Sequence, residues 1–368
     1  MYLKHLELKN FRNYRKLTLD FSEQVNIIYG KNAQGKTNLL ESIALLCLGK
    51  PVRAKKDFDL IKWEEEYCFC RGYFQESDYD LQIEIGIGTK EKRIKVNGQI
   101  VKNNSIFGRI PIVVFSPDDL QIVKGAPQLR RDFIDVYLAQ IDPNYRFVYY
   151  AFYKVLQQRN RLLKQGFVNP EELDAWNEQL VEKGTKVIRY RISLINEVKP
   201  FIAEAQHVIS GAKEDLDLEY LSFNGQKLPE DEEVIKNAFG EELQNLKGTE
   251  LRRGVTLVGP HRDDLRLIIN QKIELKNFGS QGQQRTAALA LKLGLIEKIK
   301  EARGLNPLIL LDDVMSEFDD QRKQHLLQLL ISSSQTFLTS TSKQDFPINN
   351  QHTIFFLVEQ GEIDHVQY

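Results

Sequence analysis

The run Ile27-Ile28-Tyr29-Gly30-Lys31-Asn32-Ala33-Gln34-Gly35-Lys36-Thr37-Asn38 constrains this chain more than any other stretch. An apolar pair enters a tight polar loop closed by Gly35, Lys36 and Thr37, and the apolar-periodic segment Leu39-Leu40-Glu41-Ser42-Ile43-Ala44-Leu45-Leu46 begins at once. Glycines at 30 and 35 allow the backbone to approach a charged ligand with no Cβ in the way. The spacing Gly-x-x-x-x-Gly-Lys-Thr is that of a phosphate-binding loop, whose main-chain N–H groups surround phosphates while the lysine reaches the outer oxygens and the threonine hydroxyl binds Mg²⁺. A strand, a loop and a helix are predicted over 27–46, with Lys36 exposed until its ligand arrives.

A metal on Thr37 calls for an acidic partner. Pro307-Leu308-Ile309-Leu310-Leu311-Asp312-Asp313 is an apolar run of buried-strand type ending in two carboxylates. At the carboxyl end of a parallel strand beside the loop, Asp312 is expected to hold Mg²⁺ through water and Asp313 to orient or deprotonate the attacking water. Between the two motifs, Phe278-Gly279-Ser280-Gln281-Gly282-Gln283-Gln284-Arg285 opens a strongly periodic helix. Ser280 is its expected N-cap, and free N–H groups there favour an anion.

Composition bounds the rest. With 50 Lys and Arg against 51 Asp and Glu, no strong overall field draws the molecule onto nucleic acid or membrane, so a polyanion site has to be local. No apolar run approaches the roughly 18 residues of a spanning helix, and the opening MYLKHLELKNF lacks a signal-peptide pattern, so a cytoplasmic chain with no membrane partner is expected. Cys47, Cys68 and Cys70 have no ligand spacing and are expected to be buried free thiols.

Patterning divides the 368 residues in three. Residues 1–116 alternate as strands do, with an Asn97-Gly98 hairpin turn. Residues 117–250 take a helical period, and 251–368 return to alternating strands and helices. The expected arrangement is a discontinuous α/β domain, 1–116 with 251–368, and a helical domain inserted over 117–250.

The three motifs together resemble the ABC-type ATPase head shared by SMC, RecN and RecF proteins: the Walker A loop, the Ser-x-Gly-Gln-x-Arg signature and the Walker B strand. Leu6–Tyr14, Val113–Leu120 with Val123-Lys124-Gly125 and Arg130-Arg131, and Thr256–Asp264 are similar to blocks of the RecF family in particular. Ser316-Glu317-Phe318-Asp319 matches the D-loop and Thr339-Ser340-Thr341 the switch region. An insert of about 130 residues without long heptads excludes an SMC protein.

The resemblance implies an α/β head of ABC/SMC type with mixed sheets. It implies ATP held by Arg12, Asn13 and the loop Gly30, Lys31, Asn32, Ala33, Gln34, Gly35, Lys36, Thr37 and Asn38. Ser280, Gly282 and Gln283 of a second subunit would cover it in a head-to-tail homodimer. Lys36, Asp312, Asp313, Ser280 and Arg285 are the implied catalytic set, and Thr37 and Asp312 the Mg²⁺ ligands. Also implied are double-stranded DNA near single-strand junctions, RecO and RecR as partners in loading RecA, and a weak DNA-stimulated ATPase. Family heads carry Glu after the Walker B aspartate, so Asp313 implies slow turnover. Arg53, Lys55 and Lys56, or Lys92, Arg93 and Lys95, are candidate DNA-groove clusters. A nucleotide-switch scaffold with negligible turnover and a transport ATPase are the alternatives, and the FSPDD and GPHRDD blocks weigh against the second.

Overall fold

The computed structural model describes residues 1–54, 56–76, 79–102, 105–165, 168–223, 225–313, 334–343 and 352–366. The chain divides into two compact units, Met1–Pro117 with Ile299–Tyr368, and Asp118–Lys298.

The first unit has two six-stranded sheets. One is antiparallel and runs β2-β1-β4-β5-β6-β7, from β1 (Tyr2–Phe11), β2 (Tyr14–Asp20), β4 (Tyr67–Glu76), β5 (Tyr79–Gly88), β6 (Lys92–Val96) and β7 (Gln99–Val101). Its last hairpin turns at Asn97 and Gly98, both at positive φ, as a two-residue primed turn requires. The other runs β15-β14-β3-β13-β12-β8, from β3 (Val25–Tyr29), β8 (Ile112–Phe115), β12 (Leu308–Leu311), β13 (Thr336–Ser340), β14 (Thr353–Glu359) and β15 (Glu362–Val366). Its strands are parallel except for the β14–β15 hairpin.

Helix α1 (Lys36–Leu48) packs against strands of both sheets and is buried on nearly every side, which accounts for its almost continuous apolar sequence. Cys47 on this helix and Cys68 and Cys70 on β4 are buried free thiols, and burial pushes all three well above the ordinary thiol pKa.

The second unit holds α2 (Leu120–Lys124), α3 (Pro127–Ile141), α4 (Tyr145–Leu163), α5 (Pro170–Ser210), β9 (Leu216–Leu221), α6 (Glu232–Arg253), β10 (Asp264–Ile269), β11 (Ile273–Glu274), α7 (Leu275–Phe278) and most of α8 (Gln281–Arg303). It extends past the expected limit at 250 for a specific reason. Strand β10 pairs along its whole length with β9, from Asp264 opposite Leu221 to Ile269 opposite Leu216, and β11 adds a third strand. The helical period thus ends at Arg253, while the compact unit ends at Lys298, inside α8.

Three buried arginines tie this unit together. Arg130 makes a two-pronged pair with Asp264 at 2.6 and 2.9 Å. Arg191 grips Asp135 at 2.9 and 2.8 Å and donates to the Pro260 carbonyl at 2.6 Å. Arg159 reaches Glu250 at 2.6 Å and the Thr256 hydroxyl at 2.7 Å. Much of the Thr256–Asp264 block and Arg130-Arg131 therefore serves as an internal polar frame, in which the buried charges meet opposite charges and hydrogen-bonding groups.

Candidate nucleotide site

The phosphate-type loop lies where β3 passes into α1, at the carboxyl edge of a parallel sheet, and neighbouring turns brace it. Asn13, in the β1–β2 turn, donates to the Gln34 carbonyl at 2.7 Å and accepts from Asn38 at 2.8 Å. Tyr14 donates to the Gly35 carbonyl at 3.0 Å. From the β14–β15 turn, the Gln360 and Gly361 N–H groups reach Gln34 at 2.6 and 3.2 Å. Both loop glycines are sterically required: a Cβ at Gly30 would stand 2.4 Å from the Val358 carbonyl oxygen, and one at Gly35 2.4 Å from Asn13 Nδ2. Gly35 caps α1 with no side-chain bond to its first N–H groups, as an anion-binding helix start requires.

Lys36 departs from expectation. It is 9% exposed, and its ammonium donates to the carbonyls of Gly30 at 2.7 Å and Lys31 at 2.9 Å. Both contacts hold the ammonium against the loop backbone. Burial lowers its pKa, opposed by Asp313 and Asp312.

The strand carrying the aspartates is not the immediate neighbour of β3. β13 lies between them, since it pairs with β3 on one side and β12 on the other. Thr37 nevertheless reaches across, its hydroxyl donating to Asp312 Oδ1 at 2.8 Å. Thr339, on the intervening strand, approaches the same oxygen at 3.0 Å and accepts from the Asp313 N–H at 2.8 Å. Arg53 stands 3.7 Å from the other oxygen of Asp312. Asp313 is exposed at φ 54, an unusual left-handed conformation for a non-glycine residue. Thr37 and Asp312 offer a hard ion two adjacent oxygens, which suits Mg²⁺, an ion that keeps several waters and takes further ligands from phosphates. Among the described residues no cluster of three or more His, Cys, Asp or Glu could hold a metal by itself.

Arg12 is held at the mouth of the loop by Glu41, at 2.9 and 3.2 Å, and donates to the Asp59 carbonyl. Glu41 also accepts from the Arg53 and Ala54 N–H groups at 3.4 and 3.3 Å. No motif marks Glu41. Its one sequence signal is a lone acid inside an otherwise apolar helix.

In the second unit, Ser280 begins α8 with a reciprocal cap. Its N–H donates to Gln283 Oε1 at 2.9 Å, and its hydroxyl accepts from the Gln283 N–H at 3.2 Å. Accepting that bond leaves the Ser280 hydroxyl proton for donation elsewhere. Ser280 and Gly282 are exposed, Gln283 and Arg285 half-buried.

The DNA-groove candidates fare unevenly. The Lys92 side chain is 7% exposed, its ammonium bonded to the Gly49 carbonyl at 2.7 Å and to Asp57 at 2.9 Å. Arg93 pairs with Glu91 and Arg53 with Asp312. Lys55 and the D-loop residues Ser316, Glu317, Phe318 and Asp319 lie outside the described residues.

A phosphate-type loop braced on a parallel sheet, with an aspartate at a strand end bonded to its threonine, and a Ser-x-Gly-Gln-x-Arg helix start elsewhere in the chain define an ABC-type ATPase head. A family model described as RecF/RecN/SMC N terminal domain matches residues 2–364, and the chain belongs to this family, on its RecF branch. It is 43% identical over 347 residues to the DNA replication and repair protein RecF of Bacillus cereus (strain AH820), covering 93% of this chain and 92% of that one. A solved structure of the recombination mediator protein RecF with ATP, in the RecFOR pathway, superposes with a TM-score of 0.93 at 39% identity, over all of this chain and 98% of the other. An Smc head domain from Pyrococcus furiosus, bound to the C-terminal domain of ScpA, matches at 0.56 and 18% identity over 99% of this chain and 96% of the other, a likeness of fold alone. No helix among the described residues is long and apolar enough to cross a membrane.

Proposed function

We propose that the chain is an ATP-dependent DNA clamp of recombinational gap repair. ATP binds at the Gly30–Asn38 loop, its phosphates on the loop N–H groups and the Lys36 ammonium, with Arg12 at the loop mouth and Asn13 holding the loop in shape. Two copies then associate head to tail on double-stranded DNA near a single-strand junction, each covering the other's nucleotide with Ser280, Gly282 and Gln283. The Ser280 hydroxyl, its proton unspent by the cap, donates to the outer phosphate, and Arg285 supports the same helix start. Thr37 and Asp312 would hold Mg²⁺, which supplies charge neutralisation on the β- and γ-phosphates. Asp313 orients the attacking water. Slow hydrolysis removes the contacts favouring the dimer, so the clamp reopens. Similarity to a RecF assigned to the RecFOR pathway supports RecO and RecR as partners in loading RecA.

The observation that carries this reading is the Thr37–Asp312 hydrogen bond, which joins the loop to the aspartate strand as shared metal chemistry requires. The deciding experiment measures ATP turnover and light scattering with and without duplex DNA, across a salt series. ATP-dependent dimers, DNA-accelerated turnover and a linear fall of log affinity with log salt are expected. Equal DNA binding with and without ATP contradicts the clamp, and ATP binding with no turnover favours the switch-scaffold reading.

A further inference from the structure

Helix α4, in the second unit, has a solvent face of unusual composition. Its exposed positions recur at helical spacing as Phe147, Tyr150, Lys154, Gln157 and Arg161, and Lys164 continues the stripe past the last turn. Successive steps of three and four residues keep all six within one narrow arc. From Phe147 to Lys164 the stripe runs roughly 25 Å at 1.5 Å per residue.

Three features separate this face from an ordinary solvated one. First, Tyr145–Leu163 contains no Asp or Glu, so the stripe lacks the interspersed carboxylates of a typical exposed helix. Second, two aromatic rings stand in solvent, Phe147 at 63% and Tyr150 at 41% exposure. Arg146 lies over the Phe147 ring at 4.8 Å. Third, three aspartates on and between the neighbouring helices are engaged by partners of their own: Asp135 by Arg191 and Tyr145, Asp142 by Tyr190, Asp174 by Lys247. The opposite face of α4 carries Phe152, Val155, Leu156, Arg159 and Leu162 into the unit's interior, so the helix is fixed and its outer stripe preformed.

We propose that this stripe is a contact surface for single-stranded nucleic acid. Unpaired bases stack on Phe147 and Tyr150, and phosphates lie along Lys154, Arg161 and Lys164. The rings select the single strand, since a duplex keeps its base faces stacked and offers only backbone and groove edges. The cations supply the salt-dependent, sequence-independent part. This rests on the proposed action at junctions and assigns the unpaired arm to a particular helix.

The test is fluorescence anisotropy with an oligo-dT in the absence of nucleotide, and with a blunt duplex of equal length in the presence of ATP. Wild type is compared with Phe147→Ala/Tyr150→Ala and Lys154→Glu/Arg161→Glu. All four side chains are exposed, and thermal melting confirms that the variants fold. The alanine pair is expected to weaken oligo-dT binding by about tenfold per ring, with duplex affinity within about twofold of wild type. Charge reversal is expected to weaken oligo-dT binding at least as much and to flatten its salt dependence. Unchanged oligo-dT affinity in the alanine pair, or no binding by wild type, overturns the assignment and leaves the stripe to a protein partner. Equal losses on both DNAs overturn it too, in favour of a duplex surface. Failure of the clamp reading is a separate observation, the absence of ATP-dependent duplex binding by the wild-type protein.

Discussion

The Thr37 hydroxyl donates to Asp312 Oδ1 at 2.8 Å, joining residues 275 positions apart. Thr339 bonds the same oxygen and also accepts from the Asp313 N–H. One hydroxyl on an intervening strand thus contacts both aspartates and sets their position relative to the loop.

Lys36→Met is expected to lose at least about tenfold in ATP affinity, the loss of a charge-assisted contact. It should also cost about 1–3 kcal/mol of stability, because the Gly30 and Lys31 carbonyls lose their donor. Calorimetric ATP titration and a thermal melt check both. Wild-type ATP affinity in the folded variant would sink the loop assignment.

Asp313→Asn keeps shape and loses the charge proposed to activate water, so turnover is expected to fall by about 10²–10⁴ while ATP binding persists. The backbone bond from residue 313 to Thr339 is unaffected by the change. Dimers should outlast those of wild type in light-scattering decay, and unchanged turnover would remove Asp313 from the reaction.

Ser280→Arg is expected to leave nucleotide binding by the monomer near wild type, since the loop and its aspartates all belong to the first unit. ATP-driven dimerisation should fail, because the added side chain blocks the helix start. Loss of binding at concentrations where the protein is monomeric would show that the signature acts within its own chain.

Glu250→Ala leaves the buried Arg159 without its counter-charge and the Leu257 N–H without its acceptor. A loss of about 3–5 kcal/mol is expected. Urea unfolding measures it, and a loss within experimental error would mean that the site hydrates at little cost.

Burial pushes Asp263 from 3.8 up to about 6, opposed by the hydrogen bond from Tyr220 and by Arg191. Burial pulls His261 from 6.5 down to about 4. Asp263 binds its proton more tightly in the folded state, so its contribution is complete below about 3.8 and is lost as pH rises through about 6. His261 contributes above about 6.5 and loses that contribution as pH falls through about 4. The two oppose each other across the same interval. Relative to wild type, Asp263→Asn should therefore gain stability as pH rises from 4 to 6.5, and His261→Gln should lose it. Urea midpoints at both pH values decide the matter, and parallel profiles for the three proteins would refute the pairing.

The loop, the helix after it, the signature helix and the aspartate strand are local patterns, and the sequence shows each of them. Residues joined over long separations are another matter. Nothing local marks β13 as lying between β3 and β12, or Glu41 as the holder of Arg12. The Thr256–Asp264 block stands out as a motif, yet its roles in pairing with Arg130, hydrogen-bonding Arg159 and receiving Arg191 depend on partners roughly 70–130 residues away. Lys36 and Lys92 show the same limit: a lysine in a sequence gives no sign of whether its stem is buried and its ammonium bonded to carbonyls.

The sheet order also sets a timetable. β3 lies between β13 and β14, so it gains both lateral partners only after residues 336–359 have been synthesised, behind the whole of the second unit. The early-made loop residues therefore wait through most of translation for the strands that fix them, while Asp118–Lys298 is a contiguous segment that is complete first. Nascent chains arrested before residue 336 should protect the second unit from protease and leave the Gly30–Thr37 loop cleavable. Protection of that loop in such chains would show that β3 is held earlier by other means. A chain following this order completes the braced Gly30–Thr37 loop last, after the second unit has already become a closed body.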